Sequence, residues 1–445
     1  MKTKRRGFFT MLALFAVICQ AAAQINVTLT TLVTFDGTNG TTPNCGLVQG
    51  ADGNFYGVTQ NGGANDYGTV FKMTPGGTLT TLGVFNGTNG AYPGGALVQG
   101  CDGNLYGTTQ NGGTNDAGTI FRATTNGVLK SLFSFGGQDG ILPLGRLSQD
   151  TNGNFYGTTY NGGDFDYGSI YKATTNGSFT RLYSFSNGDD GANPEAGLTP
   201  GGDGSFYGTT TTSGVVFRMA TDGTVFPLVS FATPDGSLPM AALVLGSDGS
   251  FYGSATTGGS ENNGTLFAVT TDGAMTTLVR FNGGNGERPQ GGLIQGIDGN
   301  FYGTTQLEGA NNAGTVFQMT SNSVLTTLFS FADTNGANPQ ITLVQGKDGN
   351  YYGTTTSGGA FNDGTIFRLN IILPGPILSI AAAGNESVLH WPASATNYVL
   401  QTTADLTSPD WVIATDWVTA TTDASVITVT FSNTAPAAFF RLSHP

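Results

Sequence analysis

Histidine, cysteine and charged residues are scarce in this 445-residue sequence. It contains two His and three Cys, and Asp, Glu, Lys and Arg together make up 10% of it. Both histidines, His390 and His444, lie near the C-terminus, so the chain before them has no Ser-His-Asp triad and no histidine-ligated zinc site. We expect no nucleic-acid partner, because the formal charge is −13 and proteins that bind nucleic acid carry basic surfaces.

The sequence also lacks a P-loop, a dinucleotide fingerprint and long stretches rich in Ala, Glu, Lys and Leu. Glycine is abundant instead, with 70 residues, and it is accompanied by 30 Phe and 15 Tyr. This aromatic content is too high for a disordered chain, and the glycines do not follow the G-X-Y period of collagen. The composition argues against a helical bundle, no motif indicates an organic cofactor, and the repeats described below predict an all-β protein.

A targeting signal is predicted at the N-terminus. Basic residues at positions 2, 4, 5 and 6 precede an apolar segment, residues 7–19, that is too short to remain as a membrane span. Small residues at 21–23 fit a cleavage site before Gln24. We therefore expect residues 1–23 to be a Sec signal peptide and the mature protein, without a transmembrane segment, to be secreted or held at the cell surface. The Arg-Arg pair leaves twin-arginine export as an alternative.

A phrase of the form L-V-Q-G-x-D-G-N-F-Y-G-T-T occurs seven times. Its tyrosines are separated by 45 to 51 residues and are Tyr56, Tyr106, Tyr156, Tyr207, Tyr252, Tyr302 and Tyr352. Each copy of the phrase is part of a repeat that contains four apolar runs. These runs are separated by an Asp-Gly turn, a longer glycine-rich loop and a second tight turn. Four antiparallel strands in about 50 residues are typical of a β-propeller blade.

The order of the runs predicts how the repeats close. The chain starts with a fourth strand, residues 28–35, and its last repeat, residues 343–370, has no fourth strand of its own. We therefore predict a seven-bladed β-propeller over residues 24–372, closed by its N-terminal strand, which removes the open sheet edges. A linear β-solenoid is the alternative fold for such repeats.

These repeats resemble the Gloeo/Verruco (GloVer) tandem repeat of exported bacterial proteins. The resemblance is carried by phrases such as the L-V-Q-G-C-D-G-N-L-Y-G-T-T of residues 97–109 and covers residues 28–370. It implies export and a choice-of-anchor arrangement, in which the C-terminal anchoring module varies. It implies no activity and transfers no catalytic residues.

The composition changes after Asn370. Pro374 and Pro376 predict a stiff linker at residues 373–376, and all three tryptophans follow it. Apolar runs at residues 388–391, 398–402, 425–431 and 438–442 predict short strands. The first two of these runs resemble strands of a fibronectin type III or immunoglobulin-like fold, so we expect residues 377–445 to be a small β-sandwich that associates the protein with the cell surface.

One set of carboxylates recurs at the Asp-Gly turn of the repeats. Its members are Asp52, Asp102, Asp203, Asp248, Asp298 and Asp348, with Asn152 in the third repeat. A ring of aspartates at one mouth of the channel would bind a cation. The alternative interpretation is structural, because Asp commonly precedes Gly in such turns.

A calcium site is a second possibility. The loop of the third repeat places Asp164 and Asp166 at alternate positions, a spacing that suits oxygen ligands for calcium. The alternative is an ordinary solvated loop.

The repeats differ most in blades four to six. The fourth blade has a shortened loop after Tyr207, and additional charged residues occur in the long loops nearby. In a four-stranded meander the long loops emerge on one face, where binding residues usually lie. The candidate binding residues are therefore Asp189, Asp190, Glu195, Glu261, Glu287, Arg288 and Glu308.

The sequence favours an exported, non-enzymatic scaffold that binds an extracellular glycan or protein through these loops. One alternative is a carbohydrate-active enzyme, a glycoside hydrolase or lyase, that uses Asp and Glu residues near blades four to six. A purely structural role in the cell envelope is another. The sequence identifies no catalytic residue.

Overall fold

The computed structural model describes residues 25–232 and 235–372, together with the strand segments 379–383, 386–392, 399–403, 412–414, 419–422, 426–432 and 439–443. The predicted signal peptide and the predicted linker at 373–376 lie outside the described residues. The described chain falls into two units, one spanning Val27–Ile371 and the other beginning at Ile372.

The first unit is built from short strands, and its described residues contain no α-helix. In its first half the strands are β1 (Asn26–Thr34), β2 (Val48–Gln49), β3 (Phe55–Thr59), β4 (Thr69–Met73), β5 (Leu79–Val84), β6 (Ala91–Pro93), β7 (Val98–Gln99), β8 (Leu105–Asn111), β9 (Thr119–Ala123), β10 (Leu129–Ser134), β11 (Ser148–Gln149), β12 (Phe155–Thr159), β13 (Ser169–Ala173) and β14 (Phe179–Ser184).

In its second half the strands are β15 (Thr199–Pro200), β16 (Phe206–Thr210), β17 (Val215–Met219), β18 (Val225–Ser230), β19 (Val244–Leu245), β20 (Phe251–Ala255), β21 (Thr265–Val269), β22 (Met275–Arg280), β23 (Ile294–Gln295), β24 (Phe301–Thr305), β25 (Thr315–Met319), β26 (Leu325–Ser330), β27 (Val344–Gln345), β28 (Tyr351–Thr355) and β29 (Thr365–Ile372). A short 3-10 helix, Asp333–Asn335, lies between β26 and β27. The strand that the sequence predicts at residues 28–35 corresponds to β1.

The strands form repeated antiparallel sheets, one for each sequence repeat in the described part of this unit. Sheets 1 to 6 are β2–β5, β6–β10, β11–β14, β15–β18, β19–β22 and β23–β26. Sheet 7 has the order β1-β29-β28-β27, so it takes its outer strand from the beginning of the chain. In sheet 2 the additional strand β6 pairs with the end of β8. Because β6 belongs to the connection before β7, this pairing holds the connection against the long loop.

The turn aspartates have a structural role. Oδ1 of Asp52 accepts a hydrogen bond from the Asn54 backbone N at 3.1 Å, and Oδ2 accepts from Asn54 Nδ2 at 2.7 Å and from Tyr56 Oη at 2.8 Å. The turn glycine, Gly53, has a φ of 82°, which suits a residue without a Cβ. In the third repeat Asp150, and not Asn152, accepts from the tyrosine Tyr156, at 3.3 Å. These contacts support the structural interpretation of the repeated aspartates.

Adjacent sheets pack through the Phe-Tyr pair of their second strands. The two side chains point to opposite faces of the sheet, and Phe55 and Tyr56 are both fully buried. In most sheets the tyrosine lies against the aromatic residue of the next sheet, as in Tyr106 and Phe155, whose ring centroids are 4.3 Å apart. Tyr352 of sheet 7 makes the same contact, at 4.1 Å, with Phe55 of sheet 1. The core thus continues from the last sheet to the first.

The long connections of each repeat lie on one side of its sheet. Residue Thr41, before β2, forms a β-bridge with Asn61, after β3, and equivalent bridges occur in the other repeats. The backbone N of Thr42 also donates to the carbonyl of Asp363 at 3.0 Å, which links the first repeat to the last. This arrangement agrees with the loop geometry that a four-stranded meander predicts.

The second unit contains two sheets in its described segments. Its strands are β30 (Ser379–Ala383), β31 (Glu386–Pro392), β32 (Val399–Thr403), β33 (Val412–Ile413), β34 (Thr419–Thr422), β35 (Val426–Ser432) and β36 (Phe439–Ser443). One sheet has the order β30-β31-β35-β34 and the other has the order β33-β32-β36. Leu389, Trp391 and Val429 of the first sheet share a core with Leu400 and Ala414. The described residues include no helix long and apolar enough to cross a membrane.

Candidate binding site in the central cavity

The two neighbouring aspartates of the fourth repeat have different environments. Asp189 is exposed, whereas Asp190 is buried. The Asp190 carboxylate accepts hydrogen bonds from Tyr183 Oη at 3.0 Å, from the backbone N and Oγ of Ser186, both at 2.8 Å, and from the Gly188 backbone N at 3.1 Å. These contacts fill its acceptor positions. Asp190 therefore organises the connection between β14 and β15.

The candidate residues of the fifth and sixth repeats lie on the long connections. Glu261 is exposed, Glu287 and Glu308 are half-buried, and Arg288 is exposed. Glu287 Oε1 lies 3.4 Å from Nε of the adjacent Arg288, and Glu287 forms a β-bridge with Leu307 next to Glu308. The structure thus brings Glu287, Arg288 and Glu308 into one loop pair. None of them lines the cavity described below.

The two aspartates of the predicted calcium site have protein partners. Asp164 Oδ1 forms an ion pair of 2.7 Å with Nη2 of Arg181. Asp166 Oδ1 accepts from the Gly162 backbone N at 3.0 Å. Within the described residues no group of three or more His, Cys, Asp or Glu side chains has the geometry of a metal site. Calcium binding by Asp164 and Asp166 stays a prediction.

A central cavity of about 840 Å³ is surrounded by all seven repeats. It is lined by the segment that precedes and includes the first strand of each sheet. These segments are residues 44–48, 94–96 with 98–99, 144–149, 195–200, 240–245, 290–295 and 340–345, and Gln110 also lines the cavity. The volume lies within the range of roughly 300–1,000 Å³ that is usual for small-molecule sites. The cavity is therefore the candidate binding site.

Two charged side chains, Arg146 and Glu195, occur among the described residues that line this cavity. Arg146 lies three residues after Pro143, and Glu195 directly follows Pro194. The residues equivalent to Arg146 in the other repeats are Gly46, Ala96, Gly197, Ala242, Gly292 and Thr342. The residues equivalent to Glu195 are Asn44, Gly94, Leu144, Met240, Gln290 and Gln340. The fold of a repeat therefore requires neither charge.

Glycines bring the segments that carry Arg146 and Glu195 close together. A Cβ atom on Gly197 would lie 2.3 Å from the Arg146 carbonyl oxygen, and a Cβ on Gly145 would lie 2.7 Å from the Gly197 backbone N. A larger residue at either position would force the two segments apart. The backbone contact explains why charges from two different repeats face one cavity.

Neither charged group forms an ion pair or a side-chain hydrogen bond with the part of the chain that the structure describes. Burial raises the pKa of the Glu195 carboxyl to about 7, because the charged form loses hydration. Burial lowers the pKa of the Arg146 guanidinium for the same reason, although its side chain remains accessible from the cavity. Both groups are thus available to a ligand.

Glutamines of the first strands connect neighbouring sheets at the wall of the cavity. Gln99 Oε1 accepts from the Ala51 backbone N at 2.9 Å, and Gln49 Oε1 accepts from the Lys347 backbone N at 2.9 Å. Pro200 and Leu245 replace this glutamine in sheets 4 and 5. The sequence indicates only that these glutamines lie near the channel, whereas the structure shows that their amides bridge the sheets.

Arg146 is not among the residues predicted from the sequence, and Glu195 lines the cavity whereas Asp189 and Asp190 do not. The available signal was the three residues after each of the seven repeated prolines, where Arg146 and Glu195 are the charged residues. Periodicity alone does not reveal this, because it does not show which positions face the centre. Proximity in sequence to Asp189 and Asp190 suggested a loop site for Glu195 instead.

The chain belongs to the family of the Gloeobacter/Verrucomicrobia repeat, whose model matches residues 18–214 and 210–390. No curated protein sequence is similar enough to the chain to count as a match. Two solved structures share 18% identity with it and cover 78% of it: a streptogramin B lyase, with a TM-score of 0.58, and a catalytically inactive virginiamycin B lyase from Staphylococcus aureus with quinupristin, with a TM-score of 0.57. The chain covers 98% and 100% of these two structures.

A third similar structure is the extracellular domain of a hybrid two-component system protein from B. thetaiotaomicron. It has a TM-score of 0.53 and 12% identity, and the match covers 94% of this chain and 55% of that one. At these identities the likeness concerns the fold alone. Together with the repeated sheets, it makes the first unit β-propeller-like.

Proposed function

We propose that the protein is an exported, non-enzymatic β-propeller that binds an extracellular glycan at its central cavity. The observation that carries this proposal is the pair of unpartnered charged groups, Arg146 and Glu195, at positions where the other repeats have uncharged residues. A side chain that the fold does not need, and that faces a cavity of ligand size, is best explained by a ligand.

The proposed architecture is a ring of seven blades closed by β1. Three contacts between sheets 7 and 1 support this closure: the stacking of Tyr352 on Phe55, the hydrogen bond from Lys347 to Gln49, and the bond of 3.1 Å from Thr354 Oγ1 to the Cys45 carbonyl. Equivalent contacts join most of the other neighbouring sheets. A linear solenoid has no reason to repeat them between its ends.

The second unit is proposed to be a fibronectin type III or immunoglobulin-like sandwich that associates the protein with the cell surface. In that fold one sheet has the strand order A-B-E-D, and strands C and F pair in the other sheet. The order β30-β31-β35-β34 and the pairing of β32 with β36 correspond to this pattern. Export by the Sec pathway remains part of the proposal.

A glycan fits the cavity better than an apolar ligand does. The glutamines Gln110 and Gln340 line it without bridging the sheets, and each amide can both donate to and accept from a sugar hydroxyl. The long loops, which include Glu261, Arg288 and Glu308, would add contacts if the ligand is a polymer or carries protein. A glycoside hydrolase requires a pair of carboxyl groups, and the described lining supplies the single carboxyl of Glu195. We therefore place binding before catalysis.

Affinity electrophoresis of the mature protein through gels that contain single polysaccharides tests this proposal. The same mixtures are assayed for new reducing ends. Retardation without cleavage is expected. Cleavage would instead identify a carbohydrate-active enzyme, and no effect with any polymer would favour a structural role in the envelope. Parallel gels with calcium, and with an Asp164→Asn variant, test whether calcium takes part.

A pair of variants separates the cavity from the loops. Ala242→Phe places a ring at the cavity position equivalent to Arg146, and we expect it to abolish retardation. Ala64→Phe places the same ring on an exposed loop, and we expect no effect. The opposite result would move the binding site to the loop face.

A further inference from the structure

We propose that the central cavity selects a sugar carboxylate of the uronic acid class, with the ligand carboxylate paired to Arg146 and Glu195 donating a hydrogen bond to it. This inference rests on the proposed binding function and specifies the ligand of that same site.

The first argument concerns Arg146. A guanidinium has five donors in a planar fork that matches a carboxylate in two parallel hydrogen bonds. Arg146 faces the cavity and has no acceptor side chain among the described residues. Its side chain is exposed, so a ligand in the cavity can reach the guanidinium. An anionic ligand would supply the missing partner.

The second argument concerns Glu195. Because burial raises its pKa to about 7, a large fraction of the carboxyl groups is protonated near neutral pH and can donate a hydrogen bond. The ionised form would repel a bound carboxylate. Among the described lining residues the other titratable groups are Arg146 and Cys45, whose thiol stays neutral because burial raises its pKa to about 12.

The charge balance favours a monoanion. One guanidinium and one partly protonated carboxyl group give the cavity a net charge between zero and +1, which matches a carboxylate and falls short of a phosphate dianion. The amides of Gln110 and Gln340 have no hydrogen-bond partner among the described residues and line the same cavity. They fit the hydroxyl groups of a sugar acid.

Isothermal titration calorimetry of the mature protein at pH 6.5 tests the proposal. The probes are D-galacturonate and D-glucuronate, each compared with its neutral parent sugar, D-galactose or D-glucose. At least one uronate is expected to bind tenfold or more tightly than its parent. Trigalacturonate distinguishes the source, because tighter binding of the trimer would identify a polymer end and equal binding would identify a free sugar acid.

Variants assign the preference to its residues. Arg146→Gln is expected to remove the tenfold preference, whereas Arg146→Lys keeps the charge and should retain part of it. Arg280→Gln, at an exposed position of β22, is the matched control and should bind like the unaltered protein. Thermal unfolding followed by circular dichroism shows whether each variant is folded. If Arg146→Gln does not fold, the comparison of uronate with neutral sugar still decides the proposal.

The pH dependence provides a second readout. Uronate affinity of the unaltered protein should fall as pH rises from 6 to 8, because Glu195 ionises in that interval. Glu195→Gln should bind with an affinity that is independent of pH there. Equal pH profiles for the two proteins would remove Glu195 from the proposal.

Three other results are distinguishable. Equal binding of uronates and neutral sugars would overturn the carboxylate proposal and leave glycan binding standing. Tighter binding of galactose 1-phosphate would overturn it in favour of a phosphate ligand. Binding of no saccharide in either the calorimetry or the gels would overturn both proposals.

Discussion

The carboxylates of the turns and the carboxylate of the cavity differ in every local property. Asp102 accepts hydrogen bonds from the backbone and side chain of Asn104 and from Tyr106, and equivalent aspartates occur in the other repeats. Although partial burial opposes ionisation, these hydrogen bonds hold the pKa of Asp102 below its ordinary value. Glu195 occurs once, has no such partner, and has a raised pKa. In this protein the repeated carboxylates of the turns stabilise the fold, and Glu195, the unpartnered carboxylate of the described cavity lining, is the one that we propose contacts a ligand.

The largest loss of stability is expected in sheet 7, which is built from both ends of the first unit. Deleting residues 24–36 removes β1, with the buried Val33 and Phe35, and exposes β29 as an open edge. At about 1.5–3 kcal/mol for each of these two side chains, the loss is on the order of 3–6 kcal/mol, a large part of the stability of a typical domain. Urea unfolding measures it. Deleting only residues 24–26, which end at the exposed Asn26, is the control, and equal midpoints for the two deletions would contradict the closure by β1.

A smaller loss is expected at a single repeated aspartate. Asp102→Ala leaves the Tyr106 hydroxyl and two Asn104 donors without their acceptor and should destabilise the fold by about 2–4 kcal/mol. Ligand binding should not change. Asp222→Ala, at an exposed turn where a hydrogen bond from the Thr224 backbone is lost, is the matched control and should cost less than Asp102→Ala. Equal losses in urea unfolding would remove the distinction between the turns.

The two kinds of carboxylate predict opposite responses to pH. The turn aspartates with lowered pKa are Asp52, Asp102, Asp150, Asp203, Asp248 and Asp348. Their contribution is present above the unfolded-state pKa, near 3.8, and is lost as pH falls below it. The free energy of unfolding should therefore decrease below about pH 4, the ordinary range of an aspartate.

Glu195 contributes with the other sign. Because its folded-state pKa is raised from 4.5 to about 7, stability should decrease as pH rises through this interval. Because solvent can screen a carboxyl group in an open cavity, we expect the free energy of unfolding to change by about 1–2 kcal/mol. This is about half of the change that the full pKa shift of Glu195 would give. Urea unfolding at pH 5 and pH 8 measures it. Glu195→Gln should abolish the difference in stability between pH 5 and pH 8 and leave the loss of stability below pH 4 unchanged. If this variant keeps the difference between pH 5 and pH 8, Glu195 is already ionised in the folded protein.

The smallest effect is expected at a glutamine that bridges two sheets. Gln149 Oε1 accepts from the Cys101 backbone N at 3.2 Å, and its Nε2 donates to the Gly153 carbonyl at 3.0 Å. Gln149→Leu introduces the residue that sheet 5 has naturally at Leu245, so we expect a loss of about 0.5–1.5 kcal/mol. A loss above 3 kcal/mol in the same unfolding assay would mean that these amides determine how the sheets close.

Most of the first unit could be predicted because each repeat states the same pattern again. The Asp-Gly turn and the alternating Phe-Tyr pair fix the first hairpin, and the early fourth strand predicts the composite sheet 7. The role of Asp150 in the third repeat was not predicted. This aspartate lies two residues before the turn position of Asn152, and it still accepts the hydrogen bond from the tyrosine, Tyr156. In the second unit β30, β33 and β34 were missed because they are short or rich in Ala and Thr.

The candidate site was less accessible to sequence reasoning. Which residues line the central cavity depends on how the sheets pack against one another, and this packing cannot be read from the sequence of a single repeat. Pro194 separates Glu195 from the acidic residues before it, so residues that are close in sequence reach different environments. Asp190, a predicted binding residue, accepts hydrogen bonds within its own loop, and a role in binding stays a prediction.

The pairing of β1 with β29 has a consequence for the order of events in the cell. Near these strands, Thr41 Oγ1 donates a hydrogen bond to Oδ1 of Asp363, which lies 322 positions later in the sequence. Strand β1 therefore finds its partner β29 only when the seventh repeat has been made. Until then Phe55 of sheet 1 lacks its contact with Tyr352. Completion of sheet 7 is therefore the last step in the assembly of the first unit.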